Sequence, residues 1–251
     1  MVITLLGTGT GIPSLRRNSP GLLMRLGDKK AVFDSGPGSL RNLLQAGVDL
    51  LDLDVVFYTH LHLDHISGFT TILFATKIPP SIRKKALTVY GPKGMKAYYE
   101  NLKGLYKETI CTDAYKLYLE EIENKTIDMD GFKITTRTLE HHGGGMGYRI
   151  VTPKGKVVVY SGDTDYCDDV VELSKNADLL ILECSSPDEM SMKGHLSPTT
   201  AGRVAQQAQA KKVVFVHMYP ICDREDLITP CKKEFKGEIV VGEDLMEFDL
   251  S

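Results

Sequence analysis

Residues 57–68 read FYTHLHLDHISG. Three histidines and an aspartate fall within six residues, directly behind an apolar run, in a chain that holds only seven histidines. Extended backbone would put His60 and His62 on one face, because side chains alternate along a strand. The chain then turns into a helix that carries Asp64 and His65 in its first turn. One short loop thus offers ligands to two adjacent metal ions. A histidine-rich surface turn is the plain alternative, and the density of the motif argues against it.

Outward from this stretch, short apolar runs alternate with helical ones. VITLLG (2–7), GLLMRLG (21–27) and KAVFDSG (30–36) read as strands, with Gly27-Asp28 as a hairpin turn. A helix is expected over 38–46, a buried strand over 54–59 and a helix from about 64 to 76. LTVYG (87–91) is a strand, followed by a helix through MKAYYENLKGLY. FKITTRTLE (132–140), MGYRIVT (146–152) and KVVVYSG (156–162) form a second β-rich stretch, and ADLLILEC (177–184) is a further strand. Ser197 caps a helix with Pro198 at its first position, reaching about Lys211, and KVVFVH (212–217) is again a strand. Hairpins mixed with βα units predict an α/β protein with two sheets and helices outside. No Pro/Gly/Ser-rich linker divides the chain, so residues 1–251 are expected to form one domain.

Four of these apolar strands end on a histidine or aspartate. DVVFYT runs into His60, FKITTRTLE into His141, KVVVYSG into Asp163 and KVVFV into His217. Strand ends on one sheet edge are where loops converge on a ligand, so residues far apart in sequence are expected to meet there. Nitrogen and oxygen donors without thiolate suit Zn²⁺, Mn²⁺ or Fe, and disfavour an iron–sulfur cluster or a closed cysteine site.

Composition limits the partners. The formal net charge is −3, which leaves no general footprint for a polyanion, so any such site must be local. The five cysteines are scattered, odd in number and without a C-x-x-C pair. That pattern fits reduced thiols in the cytoplasm better than a disulfide framework. The opening MVITLLGTGTG carries no secretory signal pattern, and no apolar run approaches the roughly 20 residues of a membrane span.

THLHLDH (59–65) resembles the signature of the metallo-β-lactamase superfamily. LGTGTGIPSLRRNS (6–19), LEHHGGGMGYRI (139–150), YSGDT (160–164) and VFVHMYP (214–220) resemble its ribonuclease Z-like branch. The resemblance implies an αββα sandwich of two mixed β-sheets with outer helices, and two divalent metal ions, zinc first. It implies that His60, His62 and His141 hold one ion, that Asp64, His65 and His217 hold the other, and that Asp163 bridges them. It also implies that Asp64 orients or deprotonates the attacking water. His141 is preferred to His142 because the family's ligand stands seven residues before the tyrosine of G-Y-R, here Tyr148. His195, in GHLSP, matches a family histidine that gives a proton to the leaving group, although Leu196-Ser197 departs from the family's sequence. Glu183 matches the glutamate that orients this histidine. Plain readings stand beside these: a helix-bracing histidine and a surface-turn glutamate.

Gly7, Gly9 and Gly11 read as a tight turn. Arg16 and Arg17 are candidates to meet a substrate phosphate, with solvated arginines the commoner outcome. Arg83-Lys84-Lys85 reads as a wet loop.

Two close metals generate a hydroxide near neutral pH and polarise a phosphoryl or carbonyl oxygen. The expected activity is therefore metal-dependent hydrolysis of a small or short phosphodiester. The alternatives are tRNA 3′ processing, lactone or thioester hydrolysis, and a non-hydrolytic di-iron redox protein. The last usually carries a carboxylate where this chain has His62. Transfer RNA is disfavoured because only 21 residues separate His141 from Asp163, where many bacterial tRNA-processing relatives insert an RNA-gripping arm. A homodimer is left open.

Overall fold

Val55, Val56 and Phe57 are apolar in succession and all buried, because the strand they form is covered on both sides. Val55 and Phe57 point into one cluster of buried side chains, and Val56 with Tyr58 into another. That alternation repeats across both halves of the chain and generates four layers. The computed structural model describes residues 1–250.

The first half supplies β1 (Val2–Gly7), β2 (Gly21–Leu26), β3 (Lys29–Ser35), β4 (Val55–Phe57), β5 (Leu87–Gly91) and β6 (Leu117–Glu121). The second supplies β7 (Thr126–Met129), β8 (Phe132–Leu139), β9 (Gly145–Val151), β10 (Val157–Tyr160), β11 (Leu179–Glu183), β12 (Lys212–Val216) and β13 (Glu238–Val241). A last strand, β14 (Glu247–Asp249), returns to the first sheet and pairs antiparallel with β1. The first sheet runs β14-β1-β2-β3-β4-β5-β6 and the second β13-β12-β11-β10-β9-β8-β7. Both are mixed: antiparallel hairpins on one side, as in β1-β2-β3 and β7-β8-β9-β10, and parallel pairs on the other. The helices are α1 (Ser39–Gln45), α2 (Leu63–Ile66), α3 (Gly68–Ala75), α4 (Met95–Tyr106), α5 (Asp168–Leu173), α6 (Pro198–Gln207) and α7 (Ile228–Glu234).

The layer between the sheets is filled by Ile3, Leu5, Met24, Phe33, Phe57, Tyr148, Ile150, Ile181 and Val214, among others. Phe33 stacks on Phe57 at 4.5 Å, and the edge of Tyr148 meets both rings. Leu43, Phe69, Ile72 and Leu73 pack helices against the outside of the first sheet. Ala201, Val204 and Ala205 of α6 do the same for the second. The architecture is the expected αββα sandwich of two mixed sheets.

Several elements differ from the sequence expectation. The helix expected over 64–76 is two helices, α2 and α3, broken at Ser67. The break lies where Gly68 comes against β3: a Cβ there would sit 2.3 Å from the Ser35 carbonyl oxygen. The strand expected over 54–59 leaves its ladder after Phe57, because the Thr59 amide donates to the Asp34 carboxylate instead. Strands β6, β7, β13 and β14 and helices α5 and α7 add to the elements expected from the sequence.

Arg83 overturns the wet-loop reading. It is 1% exposed, and its guanidinium donates to the carbonyls of Leu50, Leu51, Leu53, Lys85 and Ala86. It also lies 5.4 Å from the centre of the Tyr115 ring. Truncation to alanine leaves several buried acceptors unpaired, which costs on the order of 3 kcal/mol or more. Thermal unfolding of Arg83→Ala should show a midpoint lowered by roughly 6–12 °C, the usual equivalent at this chain length. Its metal content should match the parent's.

Arg17 is also structural. It is 4% exposed and donates to Asp223 at 2.8 Å, to the Thr8 hydroxyl at 2.8 Å and to the Gly242 carbonyl. Arg16 is half-exposed and pairs with Glu243 and Asp223.

Candidate metal centre

The loops that leave the C-terminal ends of β4, β8, β10 and β12 meet at one edge of the sandwich. His60 follows β4, His141 follows β8, Asp163 follows β10 and His217 directly follows β12. His62 is the N-cap of α2 with extended backbone, and Asp64 and His65 sit in that helix's first turn. His217 takes φ 56, a left-handed conformation uncommon outside glycine, at the sharp exit from β12. Gly36 lets α2 come this close to β3: a Cβ there would stand 1.9 Å from the Asp64 carbonyl oxygen.

All seven ligands expected from the sequence come together here. His60, His62, His141 and Asp163 place ligand atoms within 4.8 Å of one another, and so do Asp64, His65 and His217. The Asp163 carboxylate stands between the two groups. Its oxygens lie 3.2 Å from His65 Nε2, 3.2 Å from His217 Nε2 and 3.7 Å from both His60 Nε2 and His141 Nε2. The rings of His141 and His62 approach to 3.2 Å through Nε2 and Nδ1. His142 is exposed and stays at the rim, its ring 6.3 Å from that of His141.

The opposite nitrogen of four of these rings is already engaged. His65 Nδ1 is 2.8 Å from Asp34 Oδ2. His60 Nδ1 meets the Thr59 hydroxyl, which itself donates to Asp34. His141 Nδ1 donates to the Gly194 carbonyl. His217 Nδ1 meets the Ser185 hydroxyl, which donates to Glu183. With each Nδ1 engaged on its outer side, each Nε2 is turned toward the cluster, placed to offer a lone pair to a cation that displaces any proton it holds.

Four of the inward atoms are buried without any hydrogen-bond partner: His60 Nε2, His65 Nε2, His217 Nε2 and Asp163 Oδ1. Orphaned buried donors and acceptors are rare and need an explanation. Converging lone pairs around a carboxylate are what a divalent cation requires, so the residues fit a metal centre.

Electrostatics agree with that arrangement. Burial pushes the Asp163 carboxyl up, but the His217 and His65 imidazoles facing it hold it well below the usual carboxylate range. Burial likewise opposes Asp64, but the His217 ring 3.5 Å away and the neighbouring His65 bring it well below that range. Burial first, then the neighbouring His65, lowers His60 far below ordinary histidine. Both carboxylates are therefore ionised and His60 is neutral, the forms that bind metal.

His195 and Glu183 flank the cluster. Glu183 is fully buried and accepts from the Thr164 amide, the Leu196 amide and the Ser185 hydroxyl. It is not a surface-turn residue. His195 Nδ1 lies 3.1 Å from Glu183 Oε1, and its ring stacks on that of His217 at 5.4 Å and 11°. His195 also comes within ligand range, since its ligand atom, Asp163 and His217 lie within 4.8 Å of one another. Burial lowers the His195 pKa, but the hydrogen bond and charge of Glu183 raise it above the ordinary value. That favours the protonated ring, the form able to donate a proton.

Sequence reasoning missed Asp34 and Ser185. Asp34 is fully buried at the end of β3, with φ 56, and collects donors from Thr59, His65 and the Tyr160 hydroxyl. The available signal was an aspartate closing the apolar run KAVFD.

The family model described as beta-lactamase superfamily domain matches residues 30–218, which span every residue of this cluster from Asp34 to His217. The chain belongs to the metallo-β-lactamase superfamily. A ribonuclease Z of Archaeoglobus fulgidus is 28% identical, over 99% of this chain and 97% of its own length. The crystal structure of a metallo-β-lactamase fold protein from Bacillus subtilis superposes with a TM-score of 0.83 at 26% identity, covering 98% of each chain. Human tRNase Z, short form, shares the fold with a TM-score of 0.82 at 24% identity, over the whole of both chains. Within the superfamily the chain groups with the ribonuclease Z-like branch, and it is a metal-dependent hydrolase.

Proposed function

We propose that this superfamily member is a phosphodiesterase that hydrolyses small or short phosphodiesters with two divalent ions, zinc first. The observation that carries the size limit is the stretch between His141 and Asp163. Strand β9, the turn at Pro153-Lys154-Gly155 and strand β10 use nearly all of it as a tight hairpin. No arm projects from it. The match to the Archaeoglobus ribonuclease Z runs over 307 aligned positions against 251 residues here, so at least 56 positions of that relative face no residue in this chain. The longer interval between His65 and His141 is occupied by α3, β5, α4, β6, β7 and β8.

In this reading His60, His62 and His141 would hold one ion and Asp64, His65 and His217 the other, with Asp163 available to both. Bound there, the ions would supply an activated water and offset charge on the phosphoryl oxygens. Asp34, Thr59, Ser185 and the Gly194 carbonyl fix ring orientation. Asp64 accepts a hydrogen bond from the attacking water and aims it. His195, held through Nδ1 by Glu183, presents its other N–H to the departing oxygen as general acid. Residues 1–251 act as one domain. Its five free thiols support a reducing, cytoplasmic setting; among the described residues no helix is long and apolar enough to cross a membrane.

Transfer-RNA 3′ processing is the second reading, favoured by the relatives named ribonuclease Z. Binding a large polyanion depends on many phosphate contacts and is strongly salt-dependent. A chain of net charge −3 without an arm offers few of them. Zinc- and manganese-loaded protein should be assayed against a small phosphodiester, a lactone, a thioester and a precursor tRNA. The diester should turn over and the precursor should be cleaved weakly or not at all. Efficient, site-specific trailer removal at physiological salt establishes the second reading instead, and turnover of lactone or thioester alone ends the phosphodiester one.

A further inference from the structure

Beside the cluster lies a hollow of about 360 Å³ whose walls are Ile12, Met190, Met192, Tyr219, Pro220 and Ile221. Its three walls are the segments that carry or touch the catalytic groups. Tyr219 stands two residues beyond His217, its ring 6.3 Å from and perpendicular to that histidine. The His195 amide donates to the Met192 carbonyl at 3.2 Å. Ile12 follows Gly11, whose Cα faces the Asp64 side chain closely enough that a Cβ would lie 3.5 Å from it. The Thr8 carbonyl accepts from the Met218 amide, which ties the Ile12 loop to the Tyr219 loop.

The hollow has no charged lining. Its hydroxyls are those of Ser186 and Tyr219, and the Ser186 hydroxyl is spent on the Met190 carbonyl at 3.0 Å. On the other side of His195 the lining is the reverse, with Glu140, His142, Asp165 and Lys193. Met190 and Ile12 are 56% and 50% exposed, apolar surface beside a polar centre. Such a patch next to a site marks binding. Two methionines give a soft, polarisable wall that suits an aromatic ring, and Tyr219 adds a ring partner.

We infer that this hollow receives an aromatic substituent of the substrate, so that the enzyme acts on small phosphodiesters bearing such a ring. The inference rests on the phosphodiester reading. The anionic phosphoryl group stays at the metal centre while the ring fills the adjoining space. Binding energy from a part of the substrate that does not react then positions the part that does.

Titration calorimetry on zinc-loaded protein with benzylphosphonate and methylphosphonate tests this without turnover. The two anions differ by one ring. The benzyl compound should bind about 10-fold or more tightly, from the apolar area its ring buries. That ratio should fall toward one in Met190→Asn and in Ile12→Asn, both at exposed positions that tolerate a polar side chain. A ratio near one in the parent, or a ratio unchanged in both variants, overturns the inference. A dimer seen by sedimentation and abolished by Met190→Asn assigns the hollow to a second copy and overturns it too. Failure of the underlying reading shows separately: lactone or thioester turnover without any diester turnover removes the diester as occupant, whatever the binding ratio.

Discussion

Asp163→Ala should lower bound metal from two equivalents per chain to one or fewer, and cut turnover on the order of 10³-fold or more. The effect is large because both oxygens are used. One faces His65, and the other faces His60, His141 and His217. Five imidazoles bring no negative charge of their own, and without Asp163 only Asp64, placed to one side, remains to offset two dications. A shortened side chain also leaves a buried gap at the point where both ligand groups meet. Metal analysis by mass spectrometry after dialysis, with circular dichroism as the check on folding, reads this directly. A parent protein that saturates at one equivalent, with Asp163→Ala unchanged, ends the dinuclear reading.

His195→Ala should reduce turnover by about 10²–10⁴-fold, the usual worth of a general acid, with metal content near the parent's. A leaving group that needs no proton should recover most of the loss, so the defect shrinks as the leaving alcohol becomes more acidic. The pH profile gives the sign. The His195 pKa is raised, so the proton-bearing ring is present below that pKa and lost as pH climbs through it. Turnover should therefore fall on the alkaline side, and that limb should vanish in His195→Ala. Glu183→Gln, which keeps the shape and removes the charge, should move the limb to lower pH. Loss of metal from His195→Ala would instead make the ring a ligand, a placement its distance to Asp163 and His217 permits.

Four of the candidate ligands were readable because each follows an apolar run, and His62, Asp64 and His65 because they crowd into one short motif behind His60. A polar residue that breaks such a run where the strand must end has few structural reasons to be histidine. Asp34 ends a run in the same way, but an aspartate before Ser-Gly also reads as turn chemistry. Only the fold, which sets β3 beside β4, shows that it braces His65 and Thr59. Arg83 was misread because a basic triplet after two prolines has the composition of a solvated loop. The carbonyls it satisfies lie some 30 residues earlier and again just behind it, so no local pattern announces them. Strands β6 and β7 carry charged or polar residues on their outer positions and stay half-exposed, which blurs the period-two signal. The break between α2 and α3 is tertiary in origin, since helix propensity alone would carry through Ser67.

The pairing of β14 with β1 sets an order of events at the ribosome. Val2 faces Asp249 and Thr4 faces Glu247, so β1 waits for a partner strand made 243 residues later. Asp244 arrives equally late, yet it accepts from Thr8, Asn18 and Asn42 and so pins the loop behind β1. Until then Ile3, Leu5 and Leu6 lie on an open sheet edge, a template for pairing with another nascent chain. Contacts so distant in sequence also slow folding. Synthesis that stalls before residue 244 should leave a product with most of its metal ligands in place and an unprotected edge, prone to aggregate before it is ever a poor enzyme.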